Sequence, residues 1–364
     1  MEYTDRRNSE ATAQTMDTSK LEAELKRSLK GSVSFDAGSR ALYAMDGSNY
    51  RQVPIGVIAP QTIDDVIAAM RICKSFGAPI FSRGGGTSLA GQCCNTAIVL
   101  DWSRHLNEIL EVNDQQKFAR VQPGVVCDQL KDVAAAFGLT WGPDPSTHTH
   151  CTFGGMIGNN SCGVHSQMAG KTVDNVLELE VLLYDGTRMT VGPTTQAELE
   201  AKIAAGGRIG EIYTKLSALR KKYQALIRER YVAIPRRVSG YNLDELLPDA
   251  NGTFNLARAL VGTESTCVTV LEAKVRLVEG QLSRAILALG YADIFDAADH
   301  TTEMIPFGPI GLEGFDIVTT RNILKKGLLQ AEYLPPRNPS RSSLAFSRST
   351  AIGNLRLEAP CGLH

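Results

Sequence analysis

An α+β fold is what this 364-residue sequence predicts, and three observations predict it. Apolar strand runs alternate with a stretch of helical period between residues 54 and 101. Residues 175–191, NVLELEVLLYDGTRMTV, read as a hairpin with alternating apolar positions around an Asp-Gly turn. Two loops rich in glycine and other small residues, RGGGTSLAGQ (83–92) and WGPDPSTHTHCTFGGMIGNNSCG (141–163), interrupt this pattern.

Taken in order, residues 1–20 are polar and are expected to be disordered. A short amphipathic helix covers 21–30. PIGVIAP (54–60) is a strand bounded by prolines. Thr62 then opens a helix, with Asp65 three residues later in a capping-box arrangement. Ile63, Val66, Ile67, Met70 and Phe76 keep near-helical spacing, and Gly77 ends the helix. APIFSR delivers Arg83 to the first loop. TAIVLD (96–101) and FARVQPG (118–124) are further strands, and 125–137 is a helix closed by Gly138. Residues 194–230 read as helical and charged, and 236–248 as a structured loop. After a turn at Gly262, the alternation up to 278 predicts a long strand that returns to the first sheet.

Composition narrows the function. The formal charge of −1 gives no basic field to attract nucleic acid. Glu2 and Asp5 stand where a secretory signal would be apolar, and no run has the length of a transmembrane helix. Eight scattered cysteines without a C-x-x-C suggest a reducing, cytoplasmic setting and mostly inert thiols. The adjacent Cys93 and Cys94 read as buried small apolar side chains.

The first loop fits neither common phosphate fingerprint. A Walker loop needs a lysine after its last glycine, and Thr87 follows Gly86 directly. A dinucleotide fingerprint needs a third glycine where Leu89 stands. Consecutive glycines still free several N–H groups to line a concave anion site, and the Thr87 and Ser88 hydroxyls add donors. A plain glycine-rich turn accounts for the same residues without a ligand. The second loop is long for a compact domain, which marks functional loops. A ligand able to touch both loops has the length of a dinucleotide.

Together these segments resemble a known family. RGGGTSLAG, VQPGV, PDPS, GGMIGNNSCG, VLELEVLLYDG and GTES occur in the order found in the FAD-binding domain of the vanillyl-alcohol oxidase / p-cresol methylhydroxylase flavoproteins. STHTHCTFGGMIGNNSCG and RRVSGYNLDEL are most similar to FAD-linked D-2-hydroxyacid dehydrogenases with a C-terminal iron–sulfur domain. The resemblance implies a two-subdomain FAD-binding domain over 45–280. A polar segment and short helix (1–44) would precede it. An incomplete α+β substrate domain (281–336) and a disordered tail (337–364) would follow. It implies that Arg83, Gly84, Gly85, Gly86, Thr87, Ser88 and Gly91 wrap the FAD pyrophosphate. Pro145, Ser146, Gly154, Gly155, Gly158, Asn159, Ser161 and Gly163 would hold pyrophosphate and flavin ring. Glu264 and Val268 would contact the cofactor through the backbone of 262–268. Covalent members carry a histidine in the first loop; Thr87 there implies noncovalent FAD. Ser265 and Cys267 replace two usual glycines, which puts the local backbone contacts in doubt.

The implied reaction is oxidation of a small 2-hydroxy acid, D-lactate or D-2-hydroxyglutarate in type, to the 2-oxo acid. Hydride passes to flavin, and an external electron acceptor follows, such as an iron–sulfur domain missing from this chain. No C-x-x-C-x-x-C cluster occurs here. Residues 337–364 contain four arginines, one acid and no helical or strand period, which suggests a truncated or frame-shifted product. No residue is assignable as catalytic base. An inactive FAD-binding fragment and an alcohol or sugar oxidase of the same fold are the competing readings. His148, His150 and Cys151 offer metal-ligand chemistry but no fourth ligand, so no metal is expected. Arg236, Arg237 and Tyr241 are candidates for holding a substrate carboxylate.

Overall fold

Asp17 starts the first helix by accepting a hydrogen bond from Lys20 N at 3.0 Å. The computed structural model describes residues 16–232, 234–280, 284–326 and 342–349. Helix α1 spans Thr18–Ser28, so residues 18–20 are helical rather than disordered; 1–15 lie outside the described residues. The chain continues through β1 (Ser32–Ser34), α2 (Ala37–Leu42), β2 (Gly56–Ala59), α3 (Ile63–Ser75), β3 (Ile80–Arg83) and β4 (Ile98–Asp101). These strands form a sheet in the order β1-β2-β4-β3, parallel except for the β1–β2 pair. Every residue of β2 and β4 is buried, as strands covered on both faces require.

Thr62 caps α3 as expected, its side chain accepting from Asp65 N at 3.2 Å. Asp65 does more than the capping-box reading assigned to it. Its buried carboxylate accepts from Lys30 N and Gly31 N at 3.0 Å each and from Gln61 N at 2.8 Å. One side chain thereby ties the turn after α1 to the start of α3. Burial raises the Asp65 pKa, but these N–H bonds outweigh it and leave the value below the ordinary 3.8.

The second sheet is antiparallel. It uses β5 (Ile109–Asn113), β6 (Phe118–Val121), β7 (Leu139–Trp141), β8 (Val176–Leu182) and β9 (Arg188–Val191). Between these strands run α4 (Cys127–Ala135), α5 (Phe153–Asn159), and the single-turn helices α6 (Ser166–Ala169) and α7 (Thr172–Asn175). Strand β10 (Pro193–Thr194) pairs with β11 (Phe254–Asn255). Helices α8 (Gln196–Ala205), α9 (Gly207–Arg230) and α10 (Leu256–Leu260) precede the long β12 (Thr269–Glu279). The sheet order is β5-β6-β12-β8-β9, with β7 on the far end of β12. The chain therefore returns to the second sheet and not to the first: β12 inserts between β6 and β8. Its inward side chains Leu271, Ala273, Val275 and Leu277 are buried and supply core on one face.

Two apolar cores result. One lies between the second sheet and α4, α5, α8 and α9, around Trp141 and Phe153, whose rings meet edge-on at 5.1 Å. The other lies under α1 and α3, and there Leu182 and Leu271 of the second sheet join the core of the first. The α+β, two-subdomain expectation describes this arrangement. Beyond it, β13 (Arg284–Tyr291), β14 (Gly311–Phe315) and β15 (Ser342–Ser349) form a sheet with β15 in the middle. Residues 342–349 thus form a strand inside the segment read as a tail without period; 350–364 lie outside the described residues.

Replacing Asp65 with alanine leaves three part-buried N–H groups without their acceptor, at about 1 kcal/mol for each bond lost. Urea unfolding should show Asp65→Ala destabilised by at least ~2 kcal/mol, while alanine at exposed Asp64 costs ~0.5 kcal/mol. Because the folded-state pKa of Asp65 is depressed, its contribution is present above pH 3.8 and is lost as pH falls below it. The gap between wild type and Asp65→Ala should narrow on acidification through that range.

Candidate functional site

Both glycine-rich loops meet at one cavity of about 870 Å³, near the upper end of small-molecule sites. It opens past the carboxyl end of β3, where parallel sheets place their ligands. Arg83 through Ser88 line it from one side. Pro145, Ser146, Gly154, Gly155, Gly158, Asn159 and Ser161 line it from the other. Glu264 and Val268 complete a third wall. Gly91 and Gly163 do not line it.

The glycines have two different reasons to be glycine. A Cβ on Gly84 would lie 2.0 Å from Thr152 Oγ1, and one on Gly85 would lie 2.3 Å from the His150 carbonyl oxygen. On Gly163 it would lie 1.7 Å from Asp144 O, and on Gly154 2.9 Å from Pro123 Cβ. These positions serve protein packing. Gly155 and Gly158 differ: the nearest atoms to their Cβ positions are Thr152 Oγ1 at 3.4 Å and Glu264 Cα at 3.9 Å. Side chains added there would extend into the cavity.

Arg83 has a structural task. Its buried guanidinium donates to the carbonyls of Tyr43, Cys93 and Met45 at 3.3, 3.0 and 2.7 Å. It braces the loop from beneath, against Gly86 at φ 64°. Among the described residues, the N–H groups of Gly85, Gly86, Thr87 and Ser88 make no hydrogen bond within the protein. Four successive free donors at a cavity wall are the chemistry of an anion cradle. Apart from Arg83 the lining has one acidic residue, Glu264, and no lysine. Backbone dipoles must therefore meet a bound phosphate's charge.

Helix α5 lies within the second loop, a stretch read as largely irregular. Thr152 caps it, accepting from Gly155 N at 3.4 Å, and Phe153, Met156 and Ile157 bury one face. Asn160 ends it in the left-handed conformation, φ 53°, with Oδ1 accepting from Val173 N at 3.0 Å. Asn160 and Thr152 line the cavity and were missed as site residues; asparagine following a glycine-rich helix end was the available signal. Glu264 and Ser265 are also left-handed, at φ 49° and 64°. Glu264 N donates to Gly158 O at 3.0 Å, which holds the third wall against α5.

The remaining candidates separate. His148 pairs with Asp128 at 2.6 Å, His150 with Thr149 Oγ1 at 2.6 Å, and Cys151 is buried. Among the described residues no three His, Cys, Asp or Glu side chains converge as a metal site. Neither these histidines nor His165, which pairs with Asp144 at 3.2 Å, line the cavity. Arg237 is held by Asp244 at 2.6 Å and stacks on the Tyr231 ring at 4.7 Å. Arg236 does not line the cavity; among the described residues it donates to Cys162 Sγ on the wall at 3.2 Å and has the Glu313 charge nearby. Tyr241 lines the cavity and shares a 2.6 Å hydrogen bond with Thr266. No helix among the described residues is long and apolar enough to cross a membrane.

Residues 54–192, which contain both loops, match the family model described as FAD binding domain. The chain carries an FAD-binding domain. It is 34% identical over 337 residues to a D-2-hydroxyglutarate dehydrogenase of Pseudomonas putida, covering 90% of this chain and 33% of that protein. It is 30% identical to the glycolate oxidase subunit GlcD of Bacillus subtilis, over 76% of this chain and 49% of that one. A D-lactate dehydrogenase of Archaeoglobus fulgidus is 27% identical over 68% of this chain. The chain spans about a third of the length of the first of these relatives. A solved alkyldihydroxyacetonephosphate synthase shares the fold, with TM-score 0.62, 15% identity, and 90% of this chain covered against 55% of that one. The small-residue walls and the open N–H groups suit a flavin dinucleotide.

Valine at Gly155 or Gly158 should leave the fold intact and abolish FAD retention on gel filtration. Valine at Gly84 should lower the unfolding midpoint itself, since its neighbour is protein. Gly290, with open space around its Cβ position and no positive φ, is the control. Gly206 is unsuitable because its φ is 69°. Ser265→Gly should raise the melting temperature, because a non-glycine left-handed residue costs ~1–2 kcal/mol.

Proposed function

We propose that this chain holds FAD noncovalently between its two glycine-rich loops, as the flavin-binding part of a dehydrogenase that oxidises a D-2-hydroxy acid to the 2-oxo acid. The observation carrying this is the run of free N–H groups at Gly85–Ser88 facing the small-residue wall of α5. The relatives' names supply the substrate class. Bound FAD supplies the hydride acceptor, and the protein positions it.

The chain's own residues divide the work. The Gly85–Ser88 N–H groups and the Thr87 hydroxyl hold the pyrophosphate. Pro145, Ser146, Asn159 and Ser161 frame the ring system, and Gly155 and Gly158 let it approach α5. The 262–268 backbone closes the third side. Arg236, with a single hydrogen bond to Cys162 among the described residues, is the arginine assigned to the substrate carboxylate. Apart from Arg83, which braces the loop, the ionisable side chains of the wall are Glu264, Tyr241 and three thiols, with no histidine. The base for the hydroxyl proton therefore comes from outside this wall. An external acceptor takes the electrons. The seven free cysteines among the described residues suit a reducing, cytoplasmic setting.

Acid precipitation of the yellow protein should release all flavin to the supernatant; flavin kept on the pellet would contradict noncovalent binding. D-2-Hydroxyglutarate or D-lactate should perturb the flavin spectrum on binding. Arg236→Ala should weaken that binding about tenfold or more, the worth of a charge-assisted contact. Anaerobic bleaching of the flavin by these acids should be slow for want of a base on the wall. Rapid bleaching would refute the assignment of the base to another element.

A further inference from the structure

The described site makes no use of two buried cysteines that the backbone brings face to face. Val126 and Thr152 form an antiparallel bridge, with Cys127 N donating to Cys151 O and Phe153 N to Val125 O, both at 2.9 Å. In that register Cys127 and Cys151 stand directly opposite. One of the two bonds of a hydrogen-bonded pair is made here, Cys151 N donating instead to Thr147 O; opposed residues in antiparallel register have Cα atoms about 4.5–5.5 Å apart, within the roughly 4.4–6.8 Å range that a disulfide spans. Both side chains are buried, Cys127 fully and Cys151 to 6% exposure, and both are free thiols. Cys151 is on the cavity wall, so a small molecule in the cavity reaches it first.

We propose that Cys127 and Cys151 are an oxidation site: hydrogen peroxide entering the cavity joins them as a disulfide that clamps the first turn of α4 to the segment leading into α5. The Cys151 thiolate attacks one peroxide oxygen, the O–O bond breaks, and hydroxide leaves a sulfenic acid. The Cys127 sulfur then attacks the Cys151 sulfur, the S–S bond forms, and water leaves. The net change is two thiols and one peroxide to one disulfide and two waters, with two electrons passing from sulfur to oxygen. The order of attack follows from the surroundings. Cys151 lies on the cavity wall, where peroxide arrives, and Lys131 and His148 nearby favour its thiolate. Cys127 is fully buried and off that wall, which leaves it the resolving partner.

The reduced full-length chain, treated with hydrogen peroxide and digested without reductant, should give a peptide cross-linked through Cys127 and Cys151, with two of its eight thiols lost. Cys127→Ser should stop at a Cys151 sulfenic acid that dimedone traps. Joining of any other pair, or Cys127 and Cys151 both still alkylatable after Cys93 and Cys162 are oxidised, would overturn the proposal. The map is made on the wild-type chain, so it stands whether or not the serine variant folds. Bound FAD should slow the cross-link. This arm rests on the flavin site proposed above, and FAD retention measured on the same sample separates a failure of flavin binding from a failure of the cavity route. Equal rates with FAD demonstrably bound would overturn that route.

Discussion

A close approach joins Gly84 and Gly85 to His150–Thr152, and the rest of the site depends on it. There is no room for a side chain on the first loop at this joint. Thr152, which fills the space beside Gly84, also caps α5. Cys151 pairs with the start of α4. The first subdomain's parallel sheet, the second subdomain's α4 and the cavity's α5 wall are thereby fixed relative to one another by a few residues. Beneath the loop, Arg83 gathers three carbonyls from segments 43–45 and 93 and keeps the loop from collapsing into the space it borders.

On the proposed reading, a protein with a formal charge of −1 and no lysine on its cavity wall would hold a doubly charged pyrophosphate chiefly by dipoles. Successive N–H groups pointing one way create local positive potential without long-range attraction for other polyanions. Such a site selects by shape, because each donor needs an acceptor at its own position. Glycine is the residue that permits it, but only some of the glycines have Cβ positions open to the cavity. The others permit the protein to come close to itself.

Much of this was legible in the sequence. Strands β2, β3 and β4 announced themselves as short apolar runs, and Thr62 as a cap, because those signals are local. The reach of Asp65 to Lys30 and Gly31 was not legible, since its partners lie more than thirty positions away in the chain. Helix α5 was hidden by Gly154, Gly155 and Gly158, which depress helix propensity, although Phe153, Met156 and Ile157 kept helical spacing. The strand at 269–279 was seen, but its sheet was not, because strand partners are set by tertiary packing. The two loops were recognised as parts of one site, yet the sequence could not say what a Cβ on each glycine would meet.

A structure of the FAD-loaded protein tests the central claim most directly. The account predicts pyrophosphate oxygens at hydrogen-bond distance, about 2.7–3.2 Å, from the backbone nitrogens of Gly85 through Ser88, with the flavin ring against Gly155 and Gly158. A pyrophosphate held instead by lysine or arginine side chains, with those N–H groups facing away or bonded within the protein, would contradict it.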